Sequence, residues 1–265
     1  RDKLVTGVQT CALPISANRN LSTCAPMNLS ETLPSDFAEP LARSDGRLGL
    51  FSRHVIWYPE VSSTSDVAAL LAERGAAEGL VVAANMQTAG RGRLGRTWAS
   101  PPGAGLYVSV VLRPARHVVP LVTIAAGVAV AQGIEAATGL RSQLKWPNDV
   151  CVGSRKLAGV LAEANTNAPD GAGIPCVVLG FGINVLPAAY TPDVALRATS
   201  LAGELGRHAD RGLVFVECLA ALAERYGDLI HGRTADVIGA WRARAATTLG
   251  RRVRFETAGA QLEGV

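Results

Sequence analysis

A series of short apolar segments, several of them separated by hairpin-sized gaps, constrains the fold of this chain most strongly. Residues 106–113 show the pattern clearly, because Leu106, Val108, Val110 and Leu112 alternate with a second set of side chains at the period of a β-strand. Strands are predicted over residues 54–58, 80–86, 106–113, 144–146, 150–152, 156–164 and 176–185, and helices over residues 63–75, 120–138, 210–230 and 235–249. Short gaps favour antiparallel pairing, whereas parallel strands need longer crossover connections. We therefore expect an α+β fold, with a mixed, largely antiparallel sheet and helices packed on one side of it.

The composition limits the classes of protein to which the chain can belong. Of the 265 residues, 48% are apolar, 18% charged and 5% aromatic, which excludes a disordered, acidic or coiled-coil protein. The net charge of +4 is too small to indicate a nucleic-acid binder. The longest apolar stretch, Val118–Ala131, contains Pro120 and is shorter than the roughly 18–20 residues of a membrane span. Neither nucleic acid nor a membrane is therefore expected as a partner. The five cysteines form no CxxC pair, so we expect reduced thiols in the cytoplasm and no zinc site.

The chain divides into four parts by its patterning. Residues 1–26 show neither the strand period nor the helix period, and we expect them to be a non-native leader before a natural start at Met27. Residues 27–53 form a lead-in with two prolines and little apolar period, which leaves no room for a helix-turn-helix domain. Residues 54–249 are predicted to form the main domain. Residues 250–265 alternate apolar and polar side chains around a turn, which predicts the first hairpin of a truncated β-domain.

The segment from Gln87 to Trp98, QTAGRGRLGRTW, is the richest in chemistry. Three arginines alternate with three glycines in this segment. The arginines are Arg91, Arg93 and Arg96, and the glycines are Gly90, Gly92 and Gly95. Guanidinium groups donate forked hydrogen bonds to anions, and glycine lets backbone N–H groups approach an anion closely. The segment therefore favours phosphate or carboxylate binding, with a solvated basic loop as the alternative. It matches neither a Walker loop, which needs Gly-Lys-Ser/Thr, nor a dinucleotide fingerprint, which a helix must follow. Trp98 either stacks on a purine or on an arginine, or simply packs.

Three further motifs follow along the chain. Lys145-Trp-Pro-Asn-Asp149 ends a strand at a tight turn, where Lys145 either meets an anion in a pocket or extends along the surface. Lys156-Leu-Ala-Gly159 places a glycine within a strand, which indicates close approach of a ligand or a bulge. Gly180-Phe-Gly-Ile-Asn184 repeats that pattern, and Asn184 either hydrogen-bonds a ribose or base or satisfies the strand end. Taken singly, each motif leaves both interpretations open.

Together and in this order, the four motifs resemble those of the bacterial biotin protein ligases, with Val61-Ser-Ser-Thr-Ser65 as a further element before them. The resemblance covers about residues 54–250 and is to the short form of the family, which has no N-terminal DNA-binding domain. The sequence departs from the family at Ser65, where asparagine is common, but the serine hydroxyl keeps a hydrogen-bonding group there. The resemblance implies the biotin/lipoate ligase catalytic fold over residues 54–249. It also implies that residues 250–265 begin a truncated SH3-like domain.

The resemblance implies a two-step ligation. The carboxylate of biotin attacks the α-phosphate of MgATP, which gives biotinyl-5′-AMP and pyrophosphate. A lysine amine on the biotin carboxyl carrier domain of acetyl-CoA carboxylase, or of a related carboxylase, then attacks the mixed anhydride and releases AMP. The small molecules implied are biotin, ATP and Mg²⁺, the location is the cytoplasm, and a homodimer is left open.

The resemblance also implies roles for individual residues. The catalytic residues are Lys145, Arg91 and Arg93, and Lys145 bridges the biotin carboxylate and the α-phosphate. The biotin site comprises Ser63, Thr64, Ser65, Gln87, Arg91, Gly92, Arg93, Lys145 and Gly159. The adenylate site comprises Arg93, Arg96, Trp98, Asn148, Gly180 and Asn184. Arg93 is expected to lock the closed loop over the intermediate, and Arg91 to contact the ligand directly. No metal ligands are assigned.

Two other functions compete with this one. A lipoate–protein ligase shares the fold and the adenylate chemistry, but the Gly/Arg segment and Lys145–Asp149 favour biotin. A nucleic-acid binder that uses the basic loop, or a biotin-responsive repressor that has lost its DNA-binding domain, is the non-enzymatic alternative. Such a repressor needs an N-terminal DNA-binding domain, for which a start at Met27 leaves no room.

Overall fold

A computed structural model describes residues 12–14, 32–165, 176–187, 194, 196–245, 249–250, 252–257 and 260–264. The strands are β1 (Ala12–Pro14), β2 (Val55–Tyr58), β3 (Val81–Ala84), β4 (Gly105–Leu112), β5 (Gln143–Lys145), β6 (Asp149–Val152), β7 (Arg155–Asn165), β8 (Cys176–Asn184), β9 (Val253–Thr257) and β10 (Ala260–Gly264). The helices are α1 (Ser35–Arg43), α2 (Asp45–Leu48), α3 (Thr64–Glu73), α4 (Val119–Thr138), α5 (Leu201–Leu205), α6 (Arg211–Ile230) and α7 (Thr234–Arg244).

The main sheet is mixed and largely antiparallel, as the sequence predicts. Its strands follow the order β2-β3-β4-β8-β7-β6-β5, in which only the β2–β3 pair is parallel. Strand β1 adds to β7 in parallel, away from this path. Strand β5 lies at one end of the order, and β7 and β8 lie inside it. The α+β fold class is therefore confirmed.

Helices pack on both faces of the sheet, so the prediction of helices on one side is wrong. On one face, alternate residues such as Val110 and Leu179 join a large core with α4 and α6. On the other face, α3 packs its Val67 and Ala68 against Val82 and Val111. Strands β3, β4 and β8 carry apolar residues at both sets of alternating positions. Both faces of the sheet must therefore be covered by helices.

Helix α4 is the centre of the larger core. Its length and mean hydropathy of 1.6 would allow it to cross a membrane, but most of the helix is buried by neighbouring elements. A Cβ atom at Gly133 would lie 2.5 Å from the backbone of Cys218, which shows how closely α4 and α6 approach. The apolar surface of α4 is thus that of a core helix.

The N-terminal part of the chain contains more structure than the patterning suggests, whereas the C-terminal part is as predicted. The lead-in over residues 27–53, predicted to have little apolar period, forms α1 and α2 and buries Phe37, Leu48 and Phe51 completely. Within the predicted leader, Ala12–Pro14 pairs with β7, and the rest of residues 1–26 lies outside the described residues. At the other end, β9 and β10 form the predicted antiparallel hairpin.

Candidate active site

A cleft of about 250 Å³ opens on the face of the sheet that carries α3. It lies beside that helix, over β7, β8 and part of β4, where several cleft-facing positions hold small residues. Ser109 on β4, Gly180 and Gly182 on β8, and Gly159 on β7 all line it. A Cβ atom at Gly180 would lie 2.9 Å from the hydroxyl of Ser65, so a larger residue would close the space. The cleft therefore exists because these alternate positions lack side-chain bulk.

One end of the cleft is a network of neutral polar groups. The backbone N–H and the hydroxyl of Thr64 both contact Oε1 of Gln87, at 2.9 and 3.1 Å. The amide of Gln87 donates to Ser100 at 2.8 Å, and the Thr64 hydroxyl lies 2.8 Å from that of Ser109. Ser65 contacts Ser109 at 3.0 Å. We call this region the polar end; its hydroxyls and amide both donate and accept hydrogen bonds.

The start of α3 positions three of these hydroxyl-bearing residues. The sequence left the helix cap open between Ser63 and Thr64; the N-cap is Ser63, which has extended backbone geometry and whose carbonyl accepts from the N–H groups of Asp66 and Val67. Its side chain makes no capping hydrogen bond and is buried at the cleft wall. The helix start thus places Ser63, Thr64 and Ser65 in the cleft.

The middle of the cleft is a flat floor under Trp98. Gly159 and Gly182 are register partners on neighbouring strands. A Cβ atom at either position would lie within 3.0 or 2.6 Å of the indole, so only glycine leaves room for the ring. Lys156 Nζ lies 5.2 Å from the centroid of the same ring, a cation–π distance. Among the described residues, the buried indole N–H has no hydrogen-bond partner.

Cationic side chains also line the cleft. Lys156 Nζ forms an ion pair with Asp149 at 2.6 Å, and both side chains keep partial exposure. Arg91 forms a bidentate pair with Glu163 and contacts Asp66 at 3.1 Å. Arg93 also lines the cleft, and its buried Nε has no hydrogen-bond partner among the described residues. We call the region around Lys156 and Asp149, next to Trp98, the cationic end.

The Gly/Arg segment forms a tight loop over the cleft. Arg91 bridges to Thr97, and Gly92 N–H donates to the carbonyl of Arg96 at 2.7 Å. Leu94 at the tip has φ of 57°, in the left-handed region, and its side chain is 73% exposed. A Cβ atom at Gly90 would lie 2.5 Å from the carbonyl oxygen of Trp98, so the loop needs glycine at its base. We call residues 87–98 the Gly/Arg loop.

The three cysteines in the described part of the chain are buried or partly buried. Burial raises the pKa of the thiols of Cys151, Cys176 and Cys218 above the ordinary cysteine value, which keeps them protonated. Over the described parts of the chain, no group of three or more His, Cys, Asp or Glu side chains is arranged to hold a metal ion.

Comparison with known proteins shows the family. The profile of the biotin/lipoate A/B protein ligase family matches residues 57–184. The chain is 38% identical over 203 residues to the bifunctional ligase/repressor BirA of Bacillus subtilis, which is 73% of this chain and 62% of that relative. It is 38% identical over 211 residues to the biotin–[acetyl-CoA-carboxylase] ligase of Mycobacterium tuberculosis, which is 76% of this chain and 73% of that relative. The chain belongs to the biotin/lipoate A/B protein ligase family.

A solved structure of this ligase family supports the same assignment. The biotin protein ligase of Aquifex aeolicus in complex with biotin and ATP matches with a TM-score of 0.67 and 30% identity. That match covers 80% of this chain and 86% of the Aquifex chain. The alignment to the Bacillus subtilis relative, by contrast, spans about three fifths of that protein's length.

Most residues that the family resemblance assigns to the site come together in the cleft. These are Ser63, Thr64, Ser65, Gln87, Arg91, Gly92, Arg93, Arg96, Trp98, Asn148, Gly159 and Gly180. Asn148 also has a structural bond, since its amide donates to the carbonyl of Val160 at 2.7 Å. Arg96 lines the cleft from an exposed position.

Two assigned residues lie outside the cleft lining. Lys145 ends the edge strand β5 and is exposed. Asn184 donates from its amide to the carbonyl oxygens of Thr199, at 2.9 Å, and Lys156, at 3.5 Å. Asn184 therefore supports the backbone that carries Lys156.

The sequence analysis assigned no role to several residues that the cleft contains. They are Ser109, Asp149, Lys156 and Gly182 in the cleft lining. Glu163, which also had no assigned role, lies outside the lining and pairs with Arg91. Lys156 lies in a quoted motif from which only Gly159 was assigned. A signal for Ser109 existed, because it is a lone polar residue within a strongly apolar strand.

Proposed function

We propose that the protein is an ATP-dependent ligase that activates biotin as biotinyl-5′-AMP and transfers it to a lysine of a biotin carboxyl carrier domain. The observation that carries this proposal is the layout of one cleft, with a neutral polar end, a flat glycine floor and a cationic end. The Aquifex aeolicus neighbour is described with biotin and ATP bound, which supports both substrates. The Mycobacterium tuberculosis relative is named for acetyl-CoA carboxylase, which supports that enzyme's carrier domain as the partner.

The polar end is proposed to hold the ureido ring of biotin. A ureido group presents two N–H donors and one carbonyl acceptor, and Thr64, Gln87 and Ser109 offer both complementary functions. The groups already hydrogen-bond to one another, so their positions are set before the ligand arrives. Such preorganisation lowers the entropic cost of binding.

Lys156 is proposed as the cation that bridges the biotin carboxylate and the α-phosphate, in place of Lys145. Lys156 lines the cleft, whereas Lys145 is exposed on the edge strand. The attacking carboxylate oxygen forms a bond to the α-phosphorus while the bond to the β-phosphate oxygen breaks, and pyrophosphate leaves. Negative charge concentrates between the two groups in that transition state, where a fixed cation is most stabilising. Arg93, on the Gly/Arg loop, is proposed to close over the product and retain it, while Lys156 supplies the charge for the chemical step.

Trp98 is proposed to border the adenine site. The glycine floor on β7 and β8 fixes the position of its ring. Its buried indole N–H has no hydrogen-bond acceptor among the described residues and is free to donate to a ligand. Magnesium enters as MgATP, as part of the substrate.

The transfer step needs no nucleophile from the protein. The carrier lysine attacks the acyl carbon of the anhydride as a free amine, AMP leaves, and the proton passes to solvent.

We propose the cytoplasm as the location, where ATP and the carrier occur together. We also propose that β9 and β10 belong to an SH3-like domain.

The test combines the protein with biotin, ATP and an apo carrier domain, and follows carrier mass and pyrophosphate release. A parallel sample replaces biotin by lipoic acid and the carrier by a lipoyl domain. We expect biotin-dependent pyrophosphate release and a carrier that gains one biotinyl group. Lipoylation without biotinylation would assign the protein to the lipoate branch, and binding of biotin without pyrophosphate release would overturn the ligase proposal.

A further inference from the structure

The side chain of Arg91 is engaged by two carboxylates of the protein itself. Its Nη1 and Nη2 donate to the two carboxylate oxygens of Glu163 at 2.9 and 2.6 Å. Nη2 also lies 3.1 Å from Oδ1 of Asp66. We call Arg91, Glu163 and Asp66 the Arg91 clamp. It was the resemblance, and not this geometry, that assigned Arg91 to direct contact with the ligand.

The charges of the clamp argue against a direct role in binding phosphate. One guanidinium faces two carboxylates, so the clamp carries a net charge of −1 and offers an anion no excess positive charge. Glu163 is only 7% exposed, on a strand whose neighbouring positions are Ala162 and Ala164. A buried carboxylate is strongly unfavourable unless it is paired and hydrogen-bonded, so Glu163 holds Arg91 firmly in place.

The position of the clamp connects three walls of the cleft. Arg91 lies at the base of the Gly/Arg loop, Asp66 in the first turn of α3, and Glu163 on β7. Asp66 comes two residues after Thr64 of the polar end. Glu163 comes four residues after Gly159 of the floor, on the same face of β7. The bidentate geometry of Arg91 with Glu163 fixes orientation as well as distance.

We propose that Glu163 is a positioning residue that acts through Arg91: it holds the Gly/Arg loop against β7 and α3, so that the loop closes over biotin and retains the adenylate. Arg91 is then the anchor of the loop, and Arg93 and Lys156 remain the cations that face the anions. This inference rests on the proposed function. It predicts that loss of the Glu163 charge weakens biotin binding and retention of the intermediate more than it slows the chemical step.

The first experiment compares Glu163→Gln with a matched control, Glu217→Gln. Glu217 accepts an equally short bidentate pair from Arg47, with both distances at 2.7 Å, but joins α2 to α6 away from the cleft. Loss of a charge-assisted hydrogen bond is worth a factor of about ten or more. We expect Glu163→Gln to raise KM for biotin about ten-fold, with kcat for pyrophosphate release changed less than about three-fold. The control lowers Tm and leaves both constants unchanged.

The second experiment tests whether Glu163 acts through Arg91. Arg91→Gln, Glu163→Gln and the double variant are compared for KM of biotin and of ATP. We expect the double variant to match Arg91→Gln alone, because contacting residues that act as one unit are not additive. If Arg91 instead contacts phosphate directly, Arg91→Gln will raise KM for ATP while Glu163→Gln lowers it by freeing the guanidinium, and the proposal is overturned.

The third experiment needs no catalysis. Trypsin cleaves after arginine, and the Gly/Arg loop contains Arg91, Arg93 and Arg96. We expect cleavage within this loop to be about ten-fold faster in Glu163→Gln than in wild type, and unchanged in Glu217→Gln. Equal cleavage in all three proteins, with equal loss of Tm in both variants, would reduce the clamp to an ordinary stabilising contact. A wild-type protein that forms no adenylate would refute the proposed function, whereas this assay would still report on the clamp.

Discussion

The two faces of the main sheet use the same strands for opposite purposes. Along β8, Leu179, Phe181 and Ile183 are buried in the large core, whereas the glycines that alternate with them, Gly180 and Gly182, line the cleft. Strand β4 divides in the same way, with Val110 in the core and Ser109 in the polar end. The core face has large side chains. The cleft face has small ones, which leave room for a ligand and for Trp98 against the backbone.

The core face of the sheet therefore determines stability, and the cleft face determines function. Burial of large apolar side chains on the core face contributes most of the folding free energy. Glycines on the cleft face contribute little and cost conformational entropy. Substitutions on the core face should therefore change the free energy of unfolding, and substitutions on the cleft face should change kinetic constants.

Removing the cleft cation should have the largest effect. We expect Lys156→Ala to slow adenylate formation by a factor of about 10²–10³, because a fixed charge in a closed site is worth about 3–4 kcal/mol in the transition state. Lys145→Ala, on the exposed edge strand, is the matched control and should retain nearly full activity. Pyrophosphate release in the presence of biotin measures both. A larger loss from Lys145→Ala than from Lys156→Ala would restore the role that the sequence analysis gave to Lys145.

A truncation on the core face should change stability alone. Leu179→Ala removes a fully buried side chain and should lower the free energy of unfolding by about 2–5 kcal/mol, measured by urea denaturation. The same variant should keep the wild-type KM for biotin per folded molecule. A rise in that KM would show that the two faces are coupled and would contradict the contrast.

A small addition on the cleft face should change function. Gly182→Ala places a methyl group 2.6 Å from the Trp98 indole, and overpacking of this kind costs about 1–3 kcal/mol. We expect KM for ATP to rise about ten-fold as the ring is displaced. The control is Gly239→Ala on α7, where a Cβ atom meets nothing within 4 Å. That control should leave KM unchanged and slightly raise Tm; a rise of KM in both variants would remove the special role of the floor.

Loosening the loop should have the smallest effect on the rate and a visible effect on fidelity. We expect Arg93→Gly to form biotinyl-5′-AMP but release it, because glycine cannot hold the closed loop and exclude water. The released anhydride should label lysines of a bystander such as serum albumin, which a biotin blot detects. Wild-type levels of bystander labelling, with ATP still consumed, would make Arg93 one more anion contact and not a lock.

Much of the fold could be predicted because local patterns determine it. The alternation over residues 106–113 predicted strand β4, and the pattern that put a helix cap at Ser63 or Thr64 predicted α3, whose N-cap is Ser63. The lead-in was harder, because Phe37, Leu48 and Phe51 lie on two short helices and a 3₁₀ turn and share no common period. Only their burial in the large core reveals them.

Most residues of the site could be predicted from the sequence, but the role of each residue could not. Lys145 lies in one predicted strand and Lys156 begins another, so the two lysines look alike in the sequence. Only the strand order shows that β5 is an edge strand and that β7 lies inside the sheet. Arg91 illustrates a second limit, since its partner Glu163 is 72 residues away in the chain. Charge pairing at that separation depends on tertiary structure, which periodicity does not report.

The most direct test of the account is a crystal structure of the protein with biotin and a non-hydrolysable ATP analogue. The account predicts the ureido ring at the polar end, hydrogen-bonded to Thr64 and Gln87, and the biotin carboxylate within hydrogen-bond distance of Lys156 Nζ, with the adenine beside Trp98. Biotin bound in the reverse direction, or a carboxylate held by Lys145 while Lys156 stays on Asp149 away from both substrates, would contradict it.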